Sequence, residues 1–223
     1  MPKPTIVAIM KNECPYILEW VAYHHAVGVT DIVIYDNGST DGSSELMSRL
    51  AAIGAIRHVP WPASQEVSPQ VSAYKDALTH LSPDDWVVFI DADEFIVPVR
   101  HDTVPEAFAQ ILSRAPDATA CALNWKTFGT SGQEKRDERL VMERFTRCAE
   151  AGRSPNNCVK SLALVGAIET PHIHICHMKS GSYVKEKGEP VEIYGNGMSR
   201  SVSHETLQIN HYMTKSREEW DEK

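Results

Sequence analysis

Four short apolar runs separated by helical periodicities fill the first ninety residues, and this alternation restricts the fold more than any other feature of the chain. Residues 5–10 (TIVAIM), 31–35 (DIVIY), 56–59 (IRHV) and 86–90 (WVVFI) have the β-branched and aromatic content of buried strands. Between them, residues 15–27 repeat apolar positions with helical spacing through Ile17, Trp20, Val21 and His24 and stop at Gly28. Residues 43–52 do the same before Gly54. A third helix is expected over 69–81, with Ser68 as cap and Pro69 in the first turn. Strand, helix, strand in this order predicts right-handed βαβ units and a mostly parallel sheet.

Sheets of that kind take ligands beyond the carboxyl ends of their strands. Three polar clusters stand at such ends: Lys11-Asn12-Glu13, residues 36–41 (DNGSTD), and Asp91-Ala92-Asp93-Glu94. Two carboxylates one residue apart after a buried strand can face a common hard cation, and Mg²⁺ or Mn²⁺ suits such oxygen donors. The bland alternative for each cluster is a polar turn. Asn37-Gly38 supplies turn geometry, and Asp41 suits the start of the next helix, which leaves Asp36 at the strand tip free for a ligand. His211, after a late apolar run, is either a satisfied polar residue or a ligand. His172, His174 and His177 with Cys176 lack the paired spacing of structural zinc, so a zinc site is not expected.

Beyond residue 115 the pattern loosens. Residues 118–125, 140–145, 159–165 and 172–178 read as strands, 179–188 as a loop, 207–212 as a last strand, and a polar helix begins near Ser216. The expectation is one α/β domain over 1–223, with a smaller mixed β region completing the sheet and further chain beyond Lys223. Lys and Arg number 22 against 30 Asp and Glu, a net charge of −8, the wrong sign for a general nucleic-acid or polybasic membrane binder. An anionic substrate then needs a metal or a local cationic patch. Five dispersed cysteines without a Cys-x-x-Cys pair suggest reduced thiols and a cytoplasmic protein. No run is long and apolar enough for a transmembrane segment, though peripheral contact with the inner face of a membrane stays open.

Taken together, Lys11-Asn12-Glu13 with Glu19-Trp20, the turn at 35–41 (YDNGSTD), residues 86–95 (WVVFIDADEF), Trp125 with Phe128-Gly129, and His211-Tyr212 with Lys215-Ser216 resemble GT-A-fold glycosyltransferases of the family 2-like and family 92-like kind. The resemblance covers nearly the whole chain in order. It implies a nucleotide-binding half (1–115), an acceptor-binding half (116–223), and metal-dependent, inverting transfer of a sugar from a nucleotide-diphosphate sugar, UDP-sugar favoured, to a hydroxyl of a glycan or other acceptor. By that pattern Asp36 faces uracil or ribose, with Lys11, Asn12, Glu13 and Asn37 nearby. Asp91 lies near ribose and metal, Asp93 ligates Mn²⁺ or Mg²⁺, and His211 is a further metal ligand. Lys215 and Lys160 add positive charge. Lys75, which alone reads as an exposed helix lysine, is included in the donor-binding set.

The catalytic base implied by inversion is sought among Glu134, Asp137, Glu138 and Glu143. Glu143 is the choice, with an arginine-paired structural carboxylate as its equal alternative. Trp125 and Phe128 either stack on the acceptor sugar or pack in the core. Two other readings remain: a phosphatase with an aspartyl nucleophile, which shares an apolar run ending in Asp-x-Asp but has Gly-Thr where this chain has Glu94-Phe95, and a catalytically inactive sugar-nucleotide binding module.

Overall fold

Side chains buried on both faces of a strand place it in the middle of a sheet, and β1 (Pro4–Met10) and β4 (Trp86–Phe89) meet that condition. The computed structural model describes residues 3–62 and 68–222. In it β1 pairs in parallel with β4 and with β2 (Asp31–Asp36), which pairs in parallel with β3 (Arg57–Pro60). The order β3-β2-β1-β4-β7-β6-β13-β5 continues through β7 (Val159–Leu164), antiparallel to both of its neighbours. The ten-residue β6 (Ala118–Thr127) forks the sheet: its first half pairs with β10 (Ser182–Val184), its last residues with β13 (Leu207–His211). β5 (Glu94–Pro98) closes the edge antiparallel to β13. A mostly parallel first half and a mixed second half agree with the α/β class expected from the sequence.

Helices cover both faces. On one, α1 (Cys14–Ala26), α2 (Ser43–Ala52) and α4 (Val104–Arg114) bury Ile17, Trp20, Met47, Phe108 and Ile111 with Ile6, Ala8 and Val88 of the sheet. On the other, α3 (Pro69–Thr79) buries Ala73, Tyr74 and Ala77 against Val7, Val87 and Phe89, with β8 (Ile168–Pro171) and β9 (Cys176–Met178) alongside. Polar bonds fix the register of α1 over the far edge. The Trp20 indole donates to the Glu94 carbonyl (2.8 Å), and the Ile96 amide donates to His24 Nε2 (3.2 Å). Burial holds the His24 imidazole down at about 3, so it stays neutral and can accept that bond.

Four expectations need correction. Residues 140–145, read as a strand, hold the single helical turn α5 (Val141–Arg144), because the Val141 and Met142 amides donate to the Glu19 carboxylate of α1. A remote carboxylate thus does the work of a cap, which local pattern does not reveal. Of 172–178 only Cys176–Met178 is strand, since the His172 amide closes a turn onto the Ile175 carbonyl. The loop expected over 179–188 contains β10. Finally, β5 and α4 went unread, although Thr103 and Glu106 form a complete capping box at the start of α4. The two-residue strands β11 (Ile193–Tyr194) and β12 (Met198–Ser199) form a small separate hairpin.

The last helix, α6 (Arg217–Asp221), is joined to the first by a buried carboxylate. Glu219 accepts from Tyr16 Oη (2.7 Å) and Arg144 Nη1 (3.1 Å), bonds the Arg144 Nη2 as well, and closes a capping box with Ser216. Burial opposes its ionisation, but the bonds from Arg144, Ser216 and Tyr16 outweigh that and hold the carboxyl at about 2, below its ordinary 4.5. A carboxyl lowered on folding contributes stability above its unfolded value, and that contribution fades as pH falls toward the folded one. Glu219→Gln, which leaves the buried Arg144 with only Asp137, 3.5 Å from its Nε, as counter-charge, is expected to lower unfolding stability at neutral pH by about 3 kcal/mol. In denaturant titrations the gap to the unsubstituted chain should narrow as pH falls from 4.5 toward 2.

Candidate active site

The carboxyl ends of β1 and β4 and the end of β13 meet at one cleft of about 470 Å³. Lys11, Glu13, Asn37, Asp91, Asp93 and His211 line it together with Gln70. Parallel β1 and β2 deliver Lys11 and Asn37 side by side. Asn12 makes the bend between them, in the left-handed region at φ 57°, where its Oδ1 accepts the Thr40 amide (2.8 Å) and its own amide donates to Ser39 Oγ (3.0 Å). Asn12 therefore ties two loops together and is not among the residues lining the cleft.

Asp36 is also spent on the turn. It is buried, and its Oδ1 accepts the Ser39 amide (3.0 Å) while Oδ2 bonds the Ser44 hydroxyl and lies 3.8 Å from His58 Nε2. Burial works against its charge, yet the Ser44 and Ser39 bonds hold its carboxyl below the usual range. Asp41 has the structural role expected of it, accepting from the Ser43 and Cys14 amides (both 3.0 Å).

After β4 the acidic motif divides its labour. Asp91 Oδ1 accepts from Gln70 Nε2 (2.8 Å) and Oδ2 from Lys160 Nζ (2.9 Å), while the Asp91 amide donates to Glu94 Oε2 (2.8 Å). Lys160, on β7, is fully buried, 3.2 Å from Glu94 Oε2 and bonded to the Ile173 carbonyl (3.0 Å). Burial pulls the Lys160 ammonium down, but Glu94 and Asp91 outweigh it and keep it charged. Burial pushes the Glu94 carboxyl up, against the pull of Lys160.

Asp93 instead meets His211. Its Oδ1 lies 3.4 Å from His211 Nε2, and its carbonyl accepts the Tyr212 amide (2.9 Å), a bond that continues the β5–β13 pairing. Burial lowers the imidazole's affinity for a proton, but the bond to Asp93 and the charges of Glu94, Asp93 and Asp91 leave it raised. A carboxylate oxygen and an imidazole nitrogen at this spacing suit neighbouring positions on one divalent ion, whose ligands stand roughly 3 Å apart. His211 Nδ1 is buried without a hydrogen-bond partner among the described residues, and the Trp125 ring packs 4.2 Å from the imidazole. Among the described residues no group of three or more His, Cys, Asp or Glu side chains could hold a metal.

Other expected site residues fall elsewhere. Lys75 is exposed on α3 and does not line the cleft. Lys215 is buried, 3.9 Å from Glu13 Oε2 and 3.7 Å over the Tyr16 ring, so it stands behind the cleft. Glu143 is exposed on α5, which Glu19 anchors to α1, and none of Glu134, Asp137, Glu138 and Glu143 lines the cleft. Asp137 and Glu138 border a separate groove beside α1, where Asp137 pairs with Arg139 (2.6 Å). Trp125 and Phe128 are each 8% exposed, and Phe128 stacks on Tyr212 at 4.7 Å, the packing alternative rather than the open one.

The profile of glycosyltransferase family 92 matches residues 8–223. The chain belongs to that family. Curated relatives include glycosyltransferase family 92 proteins of Oryza sativa subsp. japonica, 28% identical over 93% of this chain and 32% of the relative, and of Ricinus communis, 27% identical over 79% and 32%. This family 92 chain therefore spans about a third of the length of those relatives. Among solved structures, S. aureus TarS 1-349 is 14% identical with a TM-score of 0.48, covering 73% of this chain and 47% of that one. A mannosyltransferase from Pyrobaculum calidifontis, solved with GDP-Man and Mn²⁺, is 23% identical with a TM-score of 0.41 over 55% and 35%.

Sequence reading missed Gln70, which no pattern marks, and gave Lys160 only a peripheral part. Lys160 had a visible signal: a lone charge inside the buried run VKSLAL. In the family 92 chain this lysine is what lets two carboxylates share the end of β4. Lys160→Met is expected to cost more than about 3 kcal/mol, because it strands Asp91 and Glu94 without a counter-charge. Adding Glu94→Gln should restore part of that loss in equilibrium unfolding, whereas strict additivity of the two changes would show that the groups are not coupled.

Proposed function

We propose that this family 92 chain transfers a sugar from a nucleotide-diphosphate sugar to a hydroxyl of a saccharide acceptor, with Asp93 and His211 holding Mn²⁺ or Mg²⁺. The observation that carries the reading is the Asp93–His211 pair at 3.4 Å on the wall of a cleft at the strand ends. A bound divalent cation supplies Lewis-acid stabilisation of the charge that develops on the departing diphosphate. Asp93 and His211 orient that group from the protein side. Asp91, 33% exposed and already braced by Lys160 and Gln70, keeps lone pairs for a ribose hydroxyl.

Asn37 supports a uracil nucleotide. It lines the cleft, and a side-chain amide can both donate to and accept from a base edge. Asp36 then acts through the turn that positions Asn37. Lys11, also on the cleft wall, adds charge for the diphosphate. An inverting course requires a carboxylate on the acceptor side. Glu143, outside the cleft, is not assigned that part. The phosphatase alternative is disfavoured by the sequence after the motif, Glu94-Phe95 in place of Gly-Thr. Among the described residues no helix is long and apolar enough to cross a membrane, so none of the described helices anchors the reaction in a bilayer.

Calorimetry with UDP-sugars, with GDP-sugars in competition, should show binding at least about tenfold tighter with Mn²⁺ or Mg²⁺ than without, a difference that Asp93→Ala removes. Equal affinity with and without metal would overturn the metal-bridged reading. Lys75→Ala should leave the affinity within about twofold, since its ammonium lies outside the cleft.

A further inference from the structure

Trp220 is 47% exposed, whereas Trp20, Trp86 and Trp125 are buried to 9% exposure or less. It is not a loose side chain at a frayed end. Its neighbour Glu219 is locked inward by Arg144 and Tyr16, and Ser216 caps the helix. The Arg217 and Glu218 amides donate to the Gln133 and Glu134 carbonyls (3.2 and 3.0 Å). The helix that carries Trp220 is therefore held in place, and nearly half of the residue faces solvent.

It forms one side of a groove of about 210 Å³ whose remaining lining is Thr130, Thr214, Arg217 and Asp221. Arg217 Nε donates to Asp221 Oδ2 (3.3 Å) in an exposed pair one helical turn apart, which puts a guanidinium and a carboxylate of cancelling charge in the lining of the same groove. Both threonine hydroxyls keep hydrogen-bonding capacity: Thr130 Oγ1 accepts the Gly132 amide (3.2 Å), and Thr214 Oγ1 donates to the Phe128 carbonyl (3.4 Å). Phe128 in turn donates its amide to the His211 carbonyl (2.9 Å), which joins the groove to the candidate metal ligand through two hydrogen bonds.

An aromatic face beside a neutral set of hydroxyl, guanidinium and carboxylate groups matches the surface of a pyranose, which offers C–H groups on one face and hydroxyls around its rim. A phosphate or other anion finds no net positive charge here. We propose that this groove is a subsite for a neutral hexose unit of the acceptor, with Trp220 as its stacking platform and Arg217 and Asp221 as its hydroxyl-reading pair. The assignment rests on the glycosyl-transfer reading for its role, though not for the binding itself.

Saturation-transfer NMR on the full chain with α- and β-linked tetrasaccharides of glucose, galactose and mannose tests it, with tetragalacturonate as the charged counterpart. At least one neutral tetrasaccharide should receive saturation from the protein. Trp220→Ala should weaken that binding by about tenfold or more, and Trp220→Phe should retain most of it. In both variants the UDP-sugar affinity should move by less than about twofold. Saccharide binding that ignores Trp220, no binding by any neutral tetrasaccharide, or tighter binding of tetragalacturonate overturns the subsite. So does iodide failing to quench the Trp220 emission, because a covered ring offers no platform. Loss of metal-dependent donor binding in the unsubstituted chain overturns instead the glycosyl-transfer reading and leaves the saccharide result to stand or fall alone.

Discussion

A single buried ammonium group sets the condition for everything at the end of β4. Lys160 reaches from β7 to Asp91 and Glu94, and without a cation there the cost of desolvating two neighbouring carboxylates would neutralise at least one of them. With it, Asp91 is braced and Asp93 turns toward His211. The antiparallel insertion of β7 between β4 and β6 gains a physical reason from the same contact: it brings a lysine from the second half of the chain under the acidic turn of the first.

Much of this was legible in the sequence. The alternation of apolar runs and helical spacings placed β1 to β4 and α1 to α3 within a few residues, because each is specified by its own periodicity and breakers. The polar clusters at the strand ends were legible for the same reason, and Asp91, Asp93 and His211 do converge on one cleft. What escaped depends on partners far away in sequence. The helical turn at Val141–Arg144 exists because of Glu19, and its apolar pattern alone reads as strand. Asp36 and Asn12 look like ligand-binding residues in composition, yet the structure uses their side chains to tie the turn at 36–41 to the exit of β1. Lys75 and Glu143 are accessible, but no element turns them toward the cleft.

The net charge of −8 also takes a local meaning. The buried pairs, Glu219 with Arg144 and Glu94 with Lys160, add nothing to it. Part is concentrated on the cleft wall as Glu13, Asp91 and Asp93, relieved by Lys11. A wall of that sign disfavours a bare diphosphate, in keeping with the metal-bridged donor proposed above. The groove at Trp220, by contrast, carries a matched pair of charges, so the chain offers two surfaces of different electrical character a few residues apart.

Asp93 and His211 are brought together by the pairing of β5 with β13, two strands far apart in sequence. During synthesis the acidic turn emerges from the ribosome long before its histidine does. The half-built protein therefore lacks the Asp93–His211 pair, and the geometry proposed to hold a cation exists only once the sheet is closed.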